Sequence, residues 1–282
     1  MTREITLALA QFAMSTEPSE NLEKALSMIA KAAEAKAQLV CLPELFMSPY
    51  FCVVEKADRD YSEPLAGATS KALSEAAAQN KIAVVAGSIY ENAGEKKYNT
   101  ALVYNEKGQL LGNYRKTHIP HDPAFFEMNY FEPGDTGYKV FDLGFAKVSV
   151  LICYDQWFPE AARSCALLGA DIIFYPTAIG NVSDLPPIEG NWQEAWENAQ
   201  RGHAISNNVV VAAVNRVGVE GTSTFWGGSF VCNPFGKTLV RGGVSEELIV
   251  QKVDLDLNKY VRESWRFFAS RRPETYKGLL NK

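Results

Sequence analysis

Three short stretches carry the residue types that a hydrolytic reaction needs. Val148-Ser-Val-Leu-Ile-Cys153-Tyr-Asp155 is an apolar run that ends in a cysteine and turns toward a helical pattern at Pro159. A side chain at such a strand-to-helix turn is pushed out beyond the sheet, as in a nucleophile elbow. The next backbone N–H, that of Tyr154, can then face a developing oxyanion. Leu42-Pro-Glu44-Leu-Phe46 places a carboxylate just after a second apolar run, and Tyr114-Arg-Lys116-Thr-His118 places a lysine at the end of a hairpin strand, Leu110–Tyr114. A cysteine nucleophile needs a base or a cationic neighbour. A glutamate can take the thiol proton and return it to a leaving amine. A lysine beside them favours the charged carboxylate and stabilises a negative tetrahedral intermediate. Cys153, Glu44 and Lys116 supply one of each.

Taken singly, each residue has a plainer explanation: Glu44 as a solvated loop acid, Lys116 as a surface ion-pair lysine, Cys153 as a small core filler. The set of three points to chemistry. A cysteine–histidine pair is the rival, with His118, His121 and His203 available, but their surroundings match neither a papain-like nor a caspase-like pattern. Cys41, Cys165 and Cys232 read as core fillers.

The elements that must position these residues alternate. Ile5–Phe12, Gln38–Leu42, Ile82–Tyr90, Val148–Cys153, Asp171–Tyr175 and Val209–Val214 read as strands. Helical spacing covers Ser19–Ala37, with Ser19 as N-cap, then Thr69–Asn80, Pro159–Leu168 and Trp192–Ser206. Hairpins are expected around Asn105–Gly108 and between Phe225 and Val253. Several strands are apolar on both faces, so an α/β protein with mixed sheets covered on both sides is expected.

The 282 residues are 47% hydrophobic and 22% charged, an ordinary globular composition. No linker or charge block divides the chain, so a single domain over 1–282 is expected. The net charge of −5 argues against a nucleic-acid partner. Five irregularly spaced cysteines, no CxxC and only three histidines give neither a disulfide framework nor a zinc site. There is no signal-peptide pattern and no apolar run of the roughly 20 residues that a membrane helix needs. These features point to the cytoplasm, with no membrane, metal or organic cofactor.

Together the three stretches resemble, in order, the three signature motifs of the nitrilase superfamily of carbon–nitrogen hydrolases, and the likeness runs along nearly the whole chain. The resemblance implies that Cys153 is the nucleophile, Glu44 the general base, and Lys116, helped by the Tyr154 amide, the oxyanion donor. It also makes Glu127 a second acid that positions the lysine and the substrate; on local sequence Glu127 reads as a plain loop residue. It implies a four-layer α-β-β-α sandwich of two mixed sheets face to face. It implies a homo-oligomer as well, with the C-terminal tail from about residue 257, including Trp265 and Arg271-Arg272, in its contacts.

Within the family, ELFMSPYFC, YRKTHIP, EPGDTGYKVF, CYDQWFPEAAR and FYPTAIG resemble the branch acting on N-carbamoylputrescine, with β-ureidopropionases a weaker match. The stretch from Gly180 to Ala199 departs from the plant pattern. A small-molecule substrate with a carbamoyl amine and a distal ammonium asks for aromatic faces and an acid. Tyr50, Phe51, Trp157 and Trp192 are candidates for the walls. Glu194, Glu189 and Asp184 are candidates for the ammonium partner, with Glu194 preferred beside Trp196, although acids in a first helical turn are equally explained by the helix dipole. Asn181–Gln200 holds four acids and no base, which favours a cation over the anionic amide of an ω-amidase. An aliphatic amidase or nitrilase uses the same catalytic residues. A non-catalytic relative is disfavoured by the presence of all three.

Overall fold

Leu7 and Leu9 alternate with Ala8 and Ala10 along the first strand, and all four are wholly buried. A computed structural model of the chain, which describes residues 3–183, 185 and 190–280, shows what covers each face. In chain order the elements are β1 (Glu4–Gln11), α1 (Pro18–Glu34), β2 (Leu39–Cys41), α2 (Ala68–Asn80), β3 (Ala83–Ala93), β4 (Lys96–Tyr104), β5 (Leu110–Arg115), β6 (Phe141–Asp142), β7 (Lys147–Val150), α3 (Pro159–Leu167), β8 (Ile172–Thr177), β9 (Gly180–Val182), α4 (Trp192–Asn207), β10 (Val210–Asn215), β11 (Val217–Glu220), β12 (Ser223–Trp226), β13 (Phe230–Cys232), β14 (Thr238–Arg241), β15 (Glu247–Asp254) and α5 (Asp256–Trp265).

One six-stranded sheet runs β15-β1-β2-β3-β4-β5 and a second runs β14-β13-β10-β8-β7-β6. Each has three parallel strands at its centre, β1-β2-β3 and β10-β8-β7, extended by antiparallel neighbours. Leu7 and Leu9 join Val85 and Val103 of the first sheet and Val148 and Val150 of the second in one core. Ala8 and Ala10 meet Ile29 of α1 and Leu73 of α2 on the other face. Ala161 and Cys165 of α3 and Trp196 and Ala204 of α4 complete the core around the second sheet. The order is α-β-β-α, as expected. Burying a Leu or Ile contributes about 1.5–3 kcal/mol, so strands apolar on both faces favour a covered sandwich over an open sheet.

One expectation shifts. Ser19 is not the N-cap: Glu17 holds that position and Pro18 opens the helix. Proline lacks the N–H that the first turn cannot satisfy, and its fixed φ suits that position. Residue 257 falls inside α5, where Val261 is buried and Asn258 donates to the Asp171 carbonyl at 2.7 Å. Trp265 meets Phe235 of the same chain edge-on at 5.2 Å. Among the described residues, no helix is long and apolar enough to cross a membrane.

Candidate active site

Beyond the end of β2 the chain turns at Pro43-Glu44-Leu45, held by its neighbours. The Leu42 N–H bonds to the Val85 carbonyl at 2.9 Å. Gly87 lies so close that a Cβ there would sit 2.0 Å from the Leu42 carbonyl oxygen, which demands glycine. Leu45 has a left-handed backbone, φ +46°, and its N–H donates to Ser88 Oγ at 2.8 Å. Glu44 is thereby turned inward and is wholly buried.

Lys116 follows β5 and is equally buried. Its Nζ donates to Glu44 Oε1 at 2.9 Å and to Glu127 Oε2 at 2.6 Å and Oε1 at 2.9 Å. Asn99 Nδ2 also donates to Glu44 Oε1, and the Tyr50 hydroxyl to Glu127 Oε1, both at 2.8 Å. Glu44 Oε2 is buried and makes no hydrogen bond to the protein. It is therefore an acceptor with nothing yet to accept.

Cys153 stands where β7 gives way to a 3₁₀ turn, Cys153–Trp157, and its φ is +43°. For a non-glycine residue this is strained backbone. Asp155 fastens the turn. Its Oδ2 accepts from the Ile152 N–H at 2.9 Å and the Tyr114 hydroxyl at 2.8 Å, and its Oδ1 accepts from the His118 N–H at 3.0 Å. His118 Nδ1 lies 2.7 Å from the same Oδ1, and its ring stacks on Phe158. His203 Nε2 lies 2.7 Å from the Gln156 carbonyl. Both of these histidines are engaged in the scaffold of the turn.

Burial pushes the Cys153 thiol well above its ordinary range; the charges of Glu44 and Glu127 add to this and Lys116 opposes it. The resting sulfur therefore holds its proton at neutral pH. Burial works against the charge on Lys116, but Glu127 and Glu44 outweigh it and hold the ammonium well above the usual lysine range. Burial raises Glu127, helped by Glu44 and opposed by Lys116 and Tyr50, to about 7. A carboxyl raised on folding favours the folded state most below its unfolded value, near 4.5, and loses that contribution as pH rises through about 7. If ionised Glu127 is needed to orient Lys116, kcat/KM rises through an acid limb near pH 7. The limb should move or vanish in Glu127→Gln; a pH–rate profile of the two proteins checks this, and an unchanged limb rejects the assignment.

A cavity of about 470 Å³ opens over Cys153, lined also by Tyr50, Glu127, Tyr154, Trp157, Ile179 and Trp192. Three of the expected wall residues, Tyr50, Trp157 and Trp192, thus face it. Phe51 does not; it packs among Tyr61, Tyr90 and Tyr130. Glu194 is a correction: it is exposed in the first turn of α4, does not line the cavity, and its N–H bonds to the Asn191 side chain at 3.1 Å. Trp196, two residues on, points the other way, into the core, because residues two apart on a helix do not share a face. Glu197 pairs with Arg241 at 2.8 Å. Asp184 and Glu189 lie outside the described residues.

Sequence reasoning missed Asp122, Phe125 and Gln156, which also line the cavity. The signal for Asp122 was its Asp-Pro turn between Lys116 and Glu127. Among the described residues, the Asp122 carboxylate is exposed and makes no hydrogen bond or ion pair, no lysine or arginine lines the cavity, and no group of three or more His, Cys, Asp or Glu is placed to hold a metal ion.

A two-sheet sandwich thus brings a strained cysteine and a buried lysine–dicarboxylate cluster together, residue types that can serve a hydrolytic reaction. The carbon–nitrogen hydrolase family model matches residues 6–263. The chain is 39% identical to an N-carbamoylputrescine amidase of Arabidopsis thaliana, over 99% of this chain and 96% of that protein. It is 35% identical to a citrullinase of Francisella tularensis, over 99% of each. A carbon–nitrogen hydrolase from Helicobacter pylori superposes with a TM-score of 0.93 at 36% identity, covering 98% of each chain. A mutant amidase from Nesterenkonia sp. AN1, showing covalent addition of the acetamide moiety of fluoroacetamide at its active-site cysteine, superposes with a TM-score of 0.79 at 28% identity, covering 97% of this chain and 96% of that one. This chain belongs to the carbon–nitrogen hydrolase family and is a hydrolase.

Proposed function

We propose that the chain hydrolyses the terminal carbamoyl group of a cationic N-carbamoyl amine, N-carbamoylputrescine above all, through a thioester on Cys153. The observation that carries the chemistry is the buried cluster of Lys116 with Glu44 and Glu127, which leaves Glu44 Oε2 unpaired.

Cys153 Sγ attacks the carbonyl carbon as its proton passes to Glu44. Lys116 Nζ and the Tyr154 N–H hold the oxyanion. As the tetrahedral intermediate collapses, Glu44 returns the proton to the departing nitrogen and ammonia leaves. A carbamoyl thioester remains on Cys153. Glu44 then takes a proton from water, which attacks the thioester and regenerates the thiol. The carbamic acid released falls apart to carbon dioxide and the amine.

The aromatic walls, the unpaired Asp122 and the absence of lysine and arginine from the described lining support a cationic tail. The described lining offers no cation for the α-carboxylate of citrulline or the acid end of an ω-amidase substrate. Asp122 replaces Glu194 as the partner for the distal ammonium. Asp122→Asn should raise KM for N-carbamoylputrescine by about 2–5-fold, the worth of a solvent-facing ion pair at its upper end. It should leave kcat and the KM of the uncharged N-carbamoylbutylamine unchanged. An equal rise for both substrates rejects the role.

The same reading carries a single domain, a cytoplasmic location and a homo-oligomer. The family resemblance supports the oligomer, and so do Leu167, Leu168 and Ile205, which are exposed on the outer helices.

A further inference from the structure

Arg216 is wholly buried, between β10 and β11, and lies far in sequence from the catalytic motifs. Its guanidinium reaches the loop that carries Glu44. Nη2 donates to the carbonyls of Glu44 at 2.7 Å and Leu45 at 3.0 Å. Nη1 donates to the Ser48 carbonyl at 3.3 Å and to both oxygens of Glu220, at 2.8 and 3.1 Å. Glu220 Oε2 in turn accepts the Tyr50 N–H at 2.5 Å, and the Tyr50 hydroxyl donates to Glu127. The chain of bonds closes through Lys116 onto the Glu44 carboxylate.

Three carbonyls of one short buried loop thus meet one cation. Buried carbonyls need partners, and here they serve a backbone that is under strain. Leu45 has φ +46°, a conformation that costs of order 1–3 kcal/mol and persists only when its surroundings over-determine it. Ser88 Oγ fixes its N–H, and Arg216 fixes its carbonyl. If the loop relaxed, Leu45 would leave the left-handed region and Glu44 would swing with it. A lysine cannot replace the clamp, because its single ammonium lacks the planar fork that spans several carbonyls at once.

We infer that Arg216, tethered by Glu220, is a positioning residue that holds the Glu44 turn in its strained form and so aims Glu44 Oε2 at the Cys153 thiol. This rests on Glu44 being the base. Arg216 does not line the cavity over Cys153; it acts through the backbone of Glu44.

The test is a double-mutant cycle between Arg216→Lys and Glu44→Gln. Its readouts are kcat and KM for N-carbamoylputrescine, and the rate at which iodoacetamide alkylates Cys153, followed by mass spectrometry of that peptide. In the wild-type background Arg216→Lys should slow turnover and alkylation by about 10²-fold, the cost of a misplaced catalytic group, with KM unchanged. In the Glu44→Gln background it should slow alkylation by less than about threefold, because the group it aims is already gone. Glu220→Gln keeps the shape of the tether and should repeat the pattern at about tenfold; it carries the test if Arg216→Lys does not fold. The same loss in both backgrounds marks general destabilisation and overturns the inference while leaving Glu44 as the base. Near-normal rates in Glu44→Gln alone overturn the base assignment and the role of Arg216 with it.

Discussion

Cys153→Ala protein should melt at the wild-type temperature and release no ammonia from N-carbamoylputrescine above background. Cys153 lines the cavity floor, so the space left by the sulfur opens into the cavity instead of forming a sealed void, and the penalty for truncation is small. Its only hydrogen bond in the described structure is a long one, 4.0 Å from Sγ to the Ala178 carbonyl. The Lys116 cluster keeps all its partners. Activity has no such reserve. Among the described residues, no other cysteine lines the cavity, and the remaining four are buried, so no second sulfur is placed to form the thioester. The measurements are a coupled ammonia assay beside a thermal melt, and mass spectrometry of acid-quenched wild-type enzyme for a carbamoyl adduct on the Cys153 peptide. Turnover above about one hundredth of wild type, against the 10²-fold or more at stake in nucleophilic catalysis, would reject the thioester route.

Lys116→Met should fail twice over. The loss of an oxyanion donor costs about 10²–10³ in kcat. The loss of the cation also leaves Glu44 and Glu127 buried without a partner, and breaking a buried ion pair on one side costs about 3–5 kcal/mol of stability. For a chain of this size that is a fall of roughly 10 °C in Tm. The deficit has a definite pH dependence. Burial raises Glu127 to about 7 while Lys116 still pulls it down; without the lysine it rises further. A raised carboxyl favours folding below its unfolded value and loses that contribution as pH rises through the folded one. The variant should therefore come closest to wild-type stability at acid pH and fall behind as pH increases. Adding Glu127→Gln should recover much of the Tm and none of the rate, which separates the structural role of Lys116 from the catalytic one. A double variant that recovers both would show that the lysine is only a structural counter-ion.

Glu44, Lys116 and Cys153 were legible in the sequence because each stands at or just past the end of a strand that the sequence predicts. Strand periodicity gives the end of a strand, and the end of a strand gives the rim of a sheet. The sandwich was legible for the same reason: strands such as β1 carry apolar residues on both faces and must be covered twice. Binary pattern says which side of an element is buried but not which elements meet, and the remainder of the site depends on meeting. Glu127 reads locally as a loop acid, yet a 3₁₀ turn carries it to Lys116. Glu194 sits among aromatics in the sequence, yet the 100° step between helical residues turns it to solvent while Trp196 goes inward. Asp122 gains its meaning from a cavity wall built by segments distant in sequence. Arg216 reads as an ordinary arginine after a strand, and only the packing of the two sheets brings it 2.7 Å from the carbonyl of Glu44, 172 residues away in the chain. Cys153, Glu44 and Lys116 are local features of strand ends; the orientation of Glu44, the approach of Glu127 and the cavity walls are long-range contacts, fixed only when the two sheets close on each other.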